Sequence, residues 1–434
     1  MTVESDPGIE KRVIAKISWR LLPFMCLCYF VAFIDRTNLG SAKLQMTQFD
    51  DRVYSIAAGI FFFGYFLFEV PSNIILEKVG ARIWIARIMI LWGFITSLTM
   101  FVGGSPWRFW GARFLLGVGE AGFFPGMILY LTYWFPTRYR TRTVALFMTA
   151  AALSSVIGNP VSGLILKRMA GVGGLAGWQW LFVLEGLPAS LLGVVVLFYL
   201  KNGPHEATWL SGDERLWLKE RLAEERAQRE VHHRMTLWQA LSNPMVLLLS
   251  LLYFSNVVGG YGLEFFLPSI IKQRTGWTDE EHITLLSAIP SLCAAVFMVL
   301  VGRHSDKTGE RRFHVGACMA MAAVGLAMIA WARGPYSVVI TVIGMCLAVS
   351  GRWACTSTFW GLPTAFLSGT AAAGGIALIN SLGNLGGYAG PTIMGYLKDP
   401  SGSYVRGLLI LAGCFLFGAV LSCSLRMKRT AVPS

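Results

Sequence analysis

The sequence predicts an all-α membrane protein, with twelve transmembrane helices in two pseudo-symmetric six-helix bundles. Three observations carry this. Of 434 residues, 55% are hydrophobic and 14% charged, whereas soluble domains are about a quarter charged. Long apolar blocks recur from residue 19 to residue 425, and a span needs about 20 such residues to cross about 30 Å of hydrocarbon. Landmarks of the first half also return in the second at a nearly constant offset.

Twelve blocks qualify as spans: 19–40, 54–76, 83–103, 107–134, 143–166, 178–200, 244–271, 283–302, 314–332, 337–361, 371–397 and 404–425. They are read as helices because lipid offers backbone groups no partner and the blocks lack the alternation of barrel strands. The first seventeen residues are polar, without the apolar core of a secretory signal, so span 1 is expected to stay in the mature protein. The longest polar stretch, 201–243, divides the spans six and six. This gives an N-terminal bundle (1–200), a cytoplasmic linker (201–243) and a C-terminal bundle (244–434). Within the linker, "SGDERLWLKERLAEERAQRE" opens with Ser211 and Glu214 in capping-box register, which predicts a surface-lying helix.

The halves repeat. Glu77-Lys78-x-Gly80 matches Asp306-Lys307-x-Gly309 at an offset of 229, and Gly158, Pro160 and Gly163 match Gly390, Pro391 and Gly395 at an offset near 232.

A net charge of +13 suggests nucleic acid until its placement is considered. Assigning alternate loops to opposite sides puts twenty-four of the thirty-seven Lys and Arg on one side and ten on the other, with Arg36, Arg113 and Arg352 inside spans. The positive-inside rule then puts both termini in the cytoplasm, and no nucleic-acid partner is expected. All eight Cys fall within spans and none forms C-x-x-C, so neither disulfides nor a metal site are expected. "RFLLGVGEAGFFPG" (113–126) contains a literal G-x-G-x-x-G at Gly117, Gly119 and Gly122. A dinucleotide turn needs a preceding strand and an exposed helix start; here the glycines lie in an apolar span read as unbroken, where they let a neighbouring helix approach. "GVGGLAG" (171–177) lacks the Lys-Ser/Thr of a phosphate loop, so ATP coupling has no support.

Between spans 8 and 9 stands "GRHSDKTGERR", with Gly302, Asp306, Gly309, Arg311 and Arg312. It resembles the loop signature of the major facilitator superfamily; the first-half copy departs from it, with Asn73 for Gly and Glu77 for Asp. Glu77, Arg82, Asp306, Arg311 and Arg312 are the gating candidates, since charge pairs at helix ends can lock one conformation and release it in another. The motifs "YFVAFIDRTNLG", "FFFGYFLFEVPSN", "WQWLFVLEGLPA" and "ALINSLGNLGGYAGP", with the stretch at 113–126, resemble the anion:cation symporter branch of that superfamily. The resemblance covers nearly the whole chain. It implies the major facilitator fold and proton-driven import of an organic carboxylate such as tartrate or phthalate through the bacterial inner membrane. It further implies a rocking, alternating-access motion, with the proton gradient in place of any cofactor. An exchanger or exporter of the same fold is the alternative, because the antiport pattern on span 5 is partly present (Ser154, Gly158, Asn159, Pro160, Gly163). No enzyme is expected, since His residues bound to loops and scattered Cys supply no catalytic cluster, and the protein is expected to act as a monomer.

A charge at mid-membrane costs about 2.5–3.5 kcal/mol on insertion scales, which marks it as functional. Asp35, Arg36, Arg113, Glu120, Glu185, Glu264 and Arg352 qualify. Arg113 and Glu120 are seven apart, nearly two turns, and share a face of span 4. Glu120 and Asp35, the latter beside Arg36 or Arg113, are the proton-coupling candidates. Family members with the same Asp-Arg on span 1 and Arg plus Glu on span 4 imply this role. Arg36 and Arg113 are the anion candidates, because a guanidinium fork fits a carboxylate. Tyr65, Asn159, Asn256, Tyr261, Asn380, Ser381 and Asn384 could add hydrogen bonds. Arg352 departs from the family; it either anchors a second carboxylate, favouring a dicarboxylate, or pairs with Glu264. Glu69 and Glu185 are read as structural or gating.

Overall fold

The computed structural model describes residues 7–230, 242–366 and 370–425, and every regular element among them is a helix. The long ones are α1 (Pro7–Ala42), α2 (Asp51–Val79), α3 (Ala81–Leu98), α4 (Pro106–Glu120), α5 (Phe123–Thr132), α6 (Thr137–Arg168), α7 (Gly177–Tyr199) and α8 (Gly212–Glu230) in the first half. The second half contains α9 (Pro244–Glu264), α10 (Leu267–Thr275), α11 (Glu280–Thr308), α12 (Arg312–Trp331), α13 (Ser337–Phe359), α14 (Gly361–Phe366), α15 (Thr370–Asn384), α16 (Gly386–Tyr396) and α17 (Val405–Ser424).

Among the described residues, eleven stretches are long and apolar enough to cross a membrane. The expected eleventh span, 371–397, consists of α15 and α16 in succession, neither long enough alone. Three expectations need correction. Helix α1 begins at Pro7, well before residue 19, because nothing between Gly8 and Ser18 breaks a helix and the polar start finds partners: Lys16 Nζ lies 2.7 Å from Glu214 of α8. Span 7 is α9 followed by α10, with Pro268 near the α10 start, where its missing N–H loses nothing. Span 4 is not unbroken. The chain leaves helical geometry at Ala121 (ψ 129°) and Gly122 (φ 86°), between α4 and α5. Glycine reaches that left-handed value without the penalty of a side chain. Of the three glycines, Gly117 does let a helix approach: a methyl there would strike the Phe61 carbonyl of α2.

The linker helix starts as its capping box predicts. The Ser211 amide donates to Glu214 (3.0 Å), and the Glu214 amide donates to the Ser211 hydroxyl (3.3 Å). Residues 231–241 of the expected linker lie outside the described residues.

The chain forms two compact units. The first comprises residues 1–50, 60–232 and 278–288; the second comprises 51–59, 233–277 and 289–434. In the first unit the start of α11 is held through Lys167, which lies 2.7 Å from Asp279 and 2.9 Å from Glu281. In the second, the start of α2 is held through an ion pair of Asp51 with Lys398. Helix α7 shows why such helices need lipid. Leu187, Leu191, Val194, Val195 and Phe198 form an exposed stripe, while Leu181, Phe182, Glu185, Ala189 and Val196 face the core. The inward stripe carries the one charge.

Candidate functional site

The first unit gathers Asp35, Arg36, Arg113 and Glu120 on α1 and α4, with α2 and α3 packed around them. Successive residues of a helix point about 100° apart, so Asp35 and Arg36 face different neighbours. Asp35, 2% exposed, turns to α3. The Thr96 hydroxyl donates to its Oδ2 at 2.6 Å, the Trp92 indole N–H donates to the same oxygen, and Asn38 Nδ2 donates to Oδ1 at 3.1 Å. Arg36 instead forms an ion pair with Glu120 of α4, which is 2% exposed.

This corrects the expectation that an arginine stands directly beside Asp35. Its carboxylate is held by neutral donors, and Arg113 and Glu120 act on it only through space. The guanidinium of Arg113 lies 5.1 Å from the Phe61 ring centroid and that of Arg36 lies 5.4 Å from the same ring, with Tyr65 at 5.6 Å. Such cation–π contacts, strengthened where water is excluded, compensate part of the cost of burying two cations. Tyr65 therefore sits within the cluster. Glu185 of α7, 6% exposed, accepts from the Ser162 hydroxyl at 2.7 Å and interacts with Asn38, which thus stands between two buried carboxylates.

Trp92, Thr96 and Asn38 were missed by the sequence reading. A signal existed: Trp92 and Thr96 are one turn apart on span 3, and Asn38 is one turn from Asp35.

Other predicted residues are placed apart. Asn159 donates to the Ser287 carbonyl at 3.4 Å, still within the first unit. In the second unit Arg352 pairs with Glu264 at 2.8 Å, and Tyr261 lies under its guanidinium at 4.7 Å. Asn256 donates to Thr356 at 3.0 Å. Asn380, Ser381 and Asn384 follow one another along α15, with Ser381 buried. Among the gating candidates, Asp306 and Arg311 are 3.4 Å apart, and Arg312 donates to the Leu425 carbonyl. Glu77 is exposed, and Arg82 turns to Glu206 at 3.9 Å, because Asn202 and Glu206 of the loop after α7 lie against the start of α3.

Two helix bundles with buried charges set in lipid-facing shells suit a carrier, and comparison with known proteins agrees. Residues 25–391 match the Major Facilitator Superfamily profile. The chain belongs to that superfamily. It is 50% identical to a protein of Agrobacterium vitis named "Putative tartrate transporter", over 98% of this chain and 97% of that one. It is 40% identical to a "Quinolone resistance transporter" of Acinetobacter baumannii, over 95% of this chain and 94% of that one. The fold matches that of the E. coli xylose transporter XylE, captured partially occluded and inward open, with a TM-score of 0.75 at 15% identity over 96% of this chain and 100% of that one. This Major Facilitator chain is thus a multi-pass membrane transporter of a small molecule, not an enzyme.

Proposed function

We propose that the protein imports an organic carboxylate together with protons, a hydroxy or aromatic acid such as tartrate or phthalate being the best match. It would do so as a monomer in the inner membrane, both termini cytoplasmic, by alternating access driven by the proton gradient alone. The observation that carries this reading is the Arg36–Glu120 pair. A buried guanidinium needs an anion. When a substrate carboxylate takes that place, Glu120 loses its cation and binds a proton, so acid and proton move together. Asp35 exchanges that same proton with Glu120 when its bonds to Trp92 and Thr96 rearrange. Arg113, on the same Phe61 ring, offers the substrate a second fork, and Tyr65 a hydroxyl. The 50% identity to a protein named for tartrate transport supports the substrate class.

The test is tartrate uptake into proteoliposomes under an imposed pH gradient. Glu120→Gln and Asp35→Asn should each abolish accumulation above equilibrium while leaving exchange across equal concentrations. Full gradient-driven accumulation in the double variant would end the reading. A second reading, export or exchange, is favoured by the relative named for quinolone resistance and by the partial span 5 pattern of Ser154, Gly158, Asn159, Pro160 and Gly163. It requires uptake to depend on a counter-substrate inside the vesicle.

A further inference from the structure

The second unit contains a charge-inverted counterpart of the first unit's pair. Glu264 falls one residue before the position 229 residues after Arg36, and Arg352 stands 232 after Glu120, close to the offsets that relate the repeated loop and glycine-proline landmarks. In the first unit α1 supplies the arginine and α4 the glutamate; in the second, α9 supplies the glutamate and α13 the arginine.

The setting is built for a planar cation. Arg352 is 7% exposed, and its guanidinium lies 4.7 Å from the Tyr261 ring centroid and 4.6 Å from that of Trp353. Its stem lies against Gly260, where a methyl group would collide with the side chain. Thr356, one turn on, receives Asn256 Nδ2 at 3.0 Å and donates to the Arg352 carbonyl at 3.0 Å. Asn256 is 2% exposed, and its Oδ1 has no hydrogen-bond partner among the described residues. A buried acceptor left so is costly unless something donates to it. An arginine fork, two aromatic walls and an open acceptor are what a hydroxy-carboxylate would require.

We propose that Arg352 and Glu264 form a second carboxylate-exchange site: a carboxylate of the transported acid takes Glu264's place on Arg352, its hydroxyl donates to Asn256 Oδ1, and the displaced Glu264 binds a proton. This rests on the proton-coupled carboxylate reading above and deepens it. Charge balances at each pair. Guanidinium with Glu⁻ is neutral, and guanidinium with substrate carboxylate beside neutral glutamic acid is neutral as well, so each displaced glutamate carries one proton. Exchange at each pair therefore adds one proton, so a doubly charged acid that opens both moves with two protons and no net charge. Besides Glu264, the titratable groups around the guanidinium among the described residues are Tyr261 on α9 and Cys355 on α13.

The experiment uses the full chain in liposomes, with L-tartrate and the monocarboxylate D-glycerate as probes. Proton number is read from the pH gradient that just balances a tartrate gradient, and charge movement from sensitivity to membrane potential. Wild type should carry two protons per tartrate and ignore the potential. Glu264→Gln should carry one and become potential-sensitive. Arg352→Ala should raise the KM for tartrate about tenfold, the worth of a charge-assisted hydrogen bond, and leave glycerate within about twofold. Should Arg352→Ala fold poorly, the double variant Arg352→Met with Glu264→Gln removes both charges and is expected to keep the fold and to favour glycerate over tartrate. An unchanged proton number in Glu264→Gln, or equal losses for both acids in the Arg352 variants, overturns the inference alone. Wild-type uptake of neither acid under any gradient overturns the underlying reading as well.

Discussion

The two units solve one problem with opposite signs. Each buries an arginine–glutamate pair between its first and fourth spans, yet the residue types are exchanged. The difference teaches that the repeat preserves where a pair must stand, not which helix supplies the cation. The surroundings differ further. The first unit adds Arg113, Asp35 and Glu185, and fastens Asp35 with donors from α3. The second sets its arginine between two rings and leaves the glutamate side chain 19% exposed, against 3% for Glu120.

That contrast can be broken first by removing each arginine. Arg36→Ala strands Glu120 in the core, and breaking a buried pair costs about 3–5 kcal/mol. Arg352→Ala strands a glutamate whose side chain is less fully enclosed, 19% exposed, so its thermal midpoint in detergent should fall by clearly less. Equal falls would show that the two pairs are energetically alike. Next, Trp92→Phe keeps the ring and deletes one donor to Asp35, at about 1–3 kcal/mol. It should lower both the midpoint and gradient-driven uptake, a sensitivity with no analogue in the second unit. A smaller effect is expected from Gly122→Ala, which forces a side chain into left-handed geometry at about 1–2 kcal/mol, while Ser72 crowds the same point. The midpoint should drop without change in proton number.

The smallest effect concerns pH. The hydrogen bond from Lys167 holds the Asp279 carboxyl below the usual carboxylate range. A lowered folded value stabilises above the ordinary pKa of about 3.9 and is lost as pH falls through the folded one. Wild type and Asp279→Asn should therefore differ slightly in midpoint from pH 8 to 5 and converge only as pH falls well below about 4.

Much of the fold was legible because lipid allows few solutions. Long apolar runs must be helices, and the offset of 229 between Glu77-Lys78 and Asp306-Lys307 exposed the duplication. The interruption after Glu120 was not legible: Gly122 sits in an apolar run, where glycine is equally at home in a tightly packed helix. The charged residues of the site could be named from their rarity. Their pairing could not, since Asp35 and Arg36 are neighbours in sequence but diverge around the helix, and Trp92 and Thr96 come from a span with no charge at its centre. Arg352 was legible as an anomaly, and Glu264 as one of its two possible partners.

The interruption itself has a mechanical outcome. With the backbone ladder cut at Ala121 and Gly122, α5 can pivot while the turn bearing Arg113 stays still. Deuterium should enter the amides beside that joint sooner than those of the continuous α7, and a spin label on α5 should report movement that one on α4 does not share.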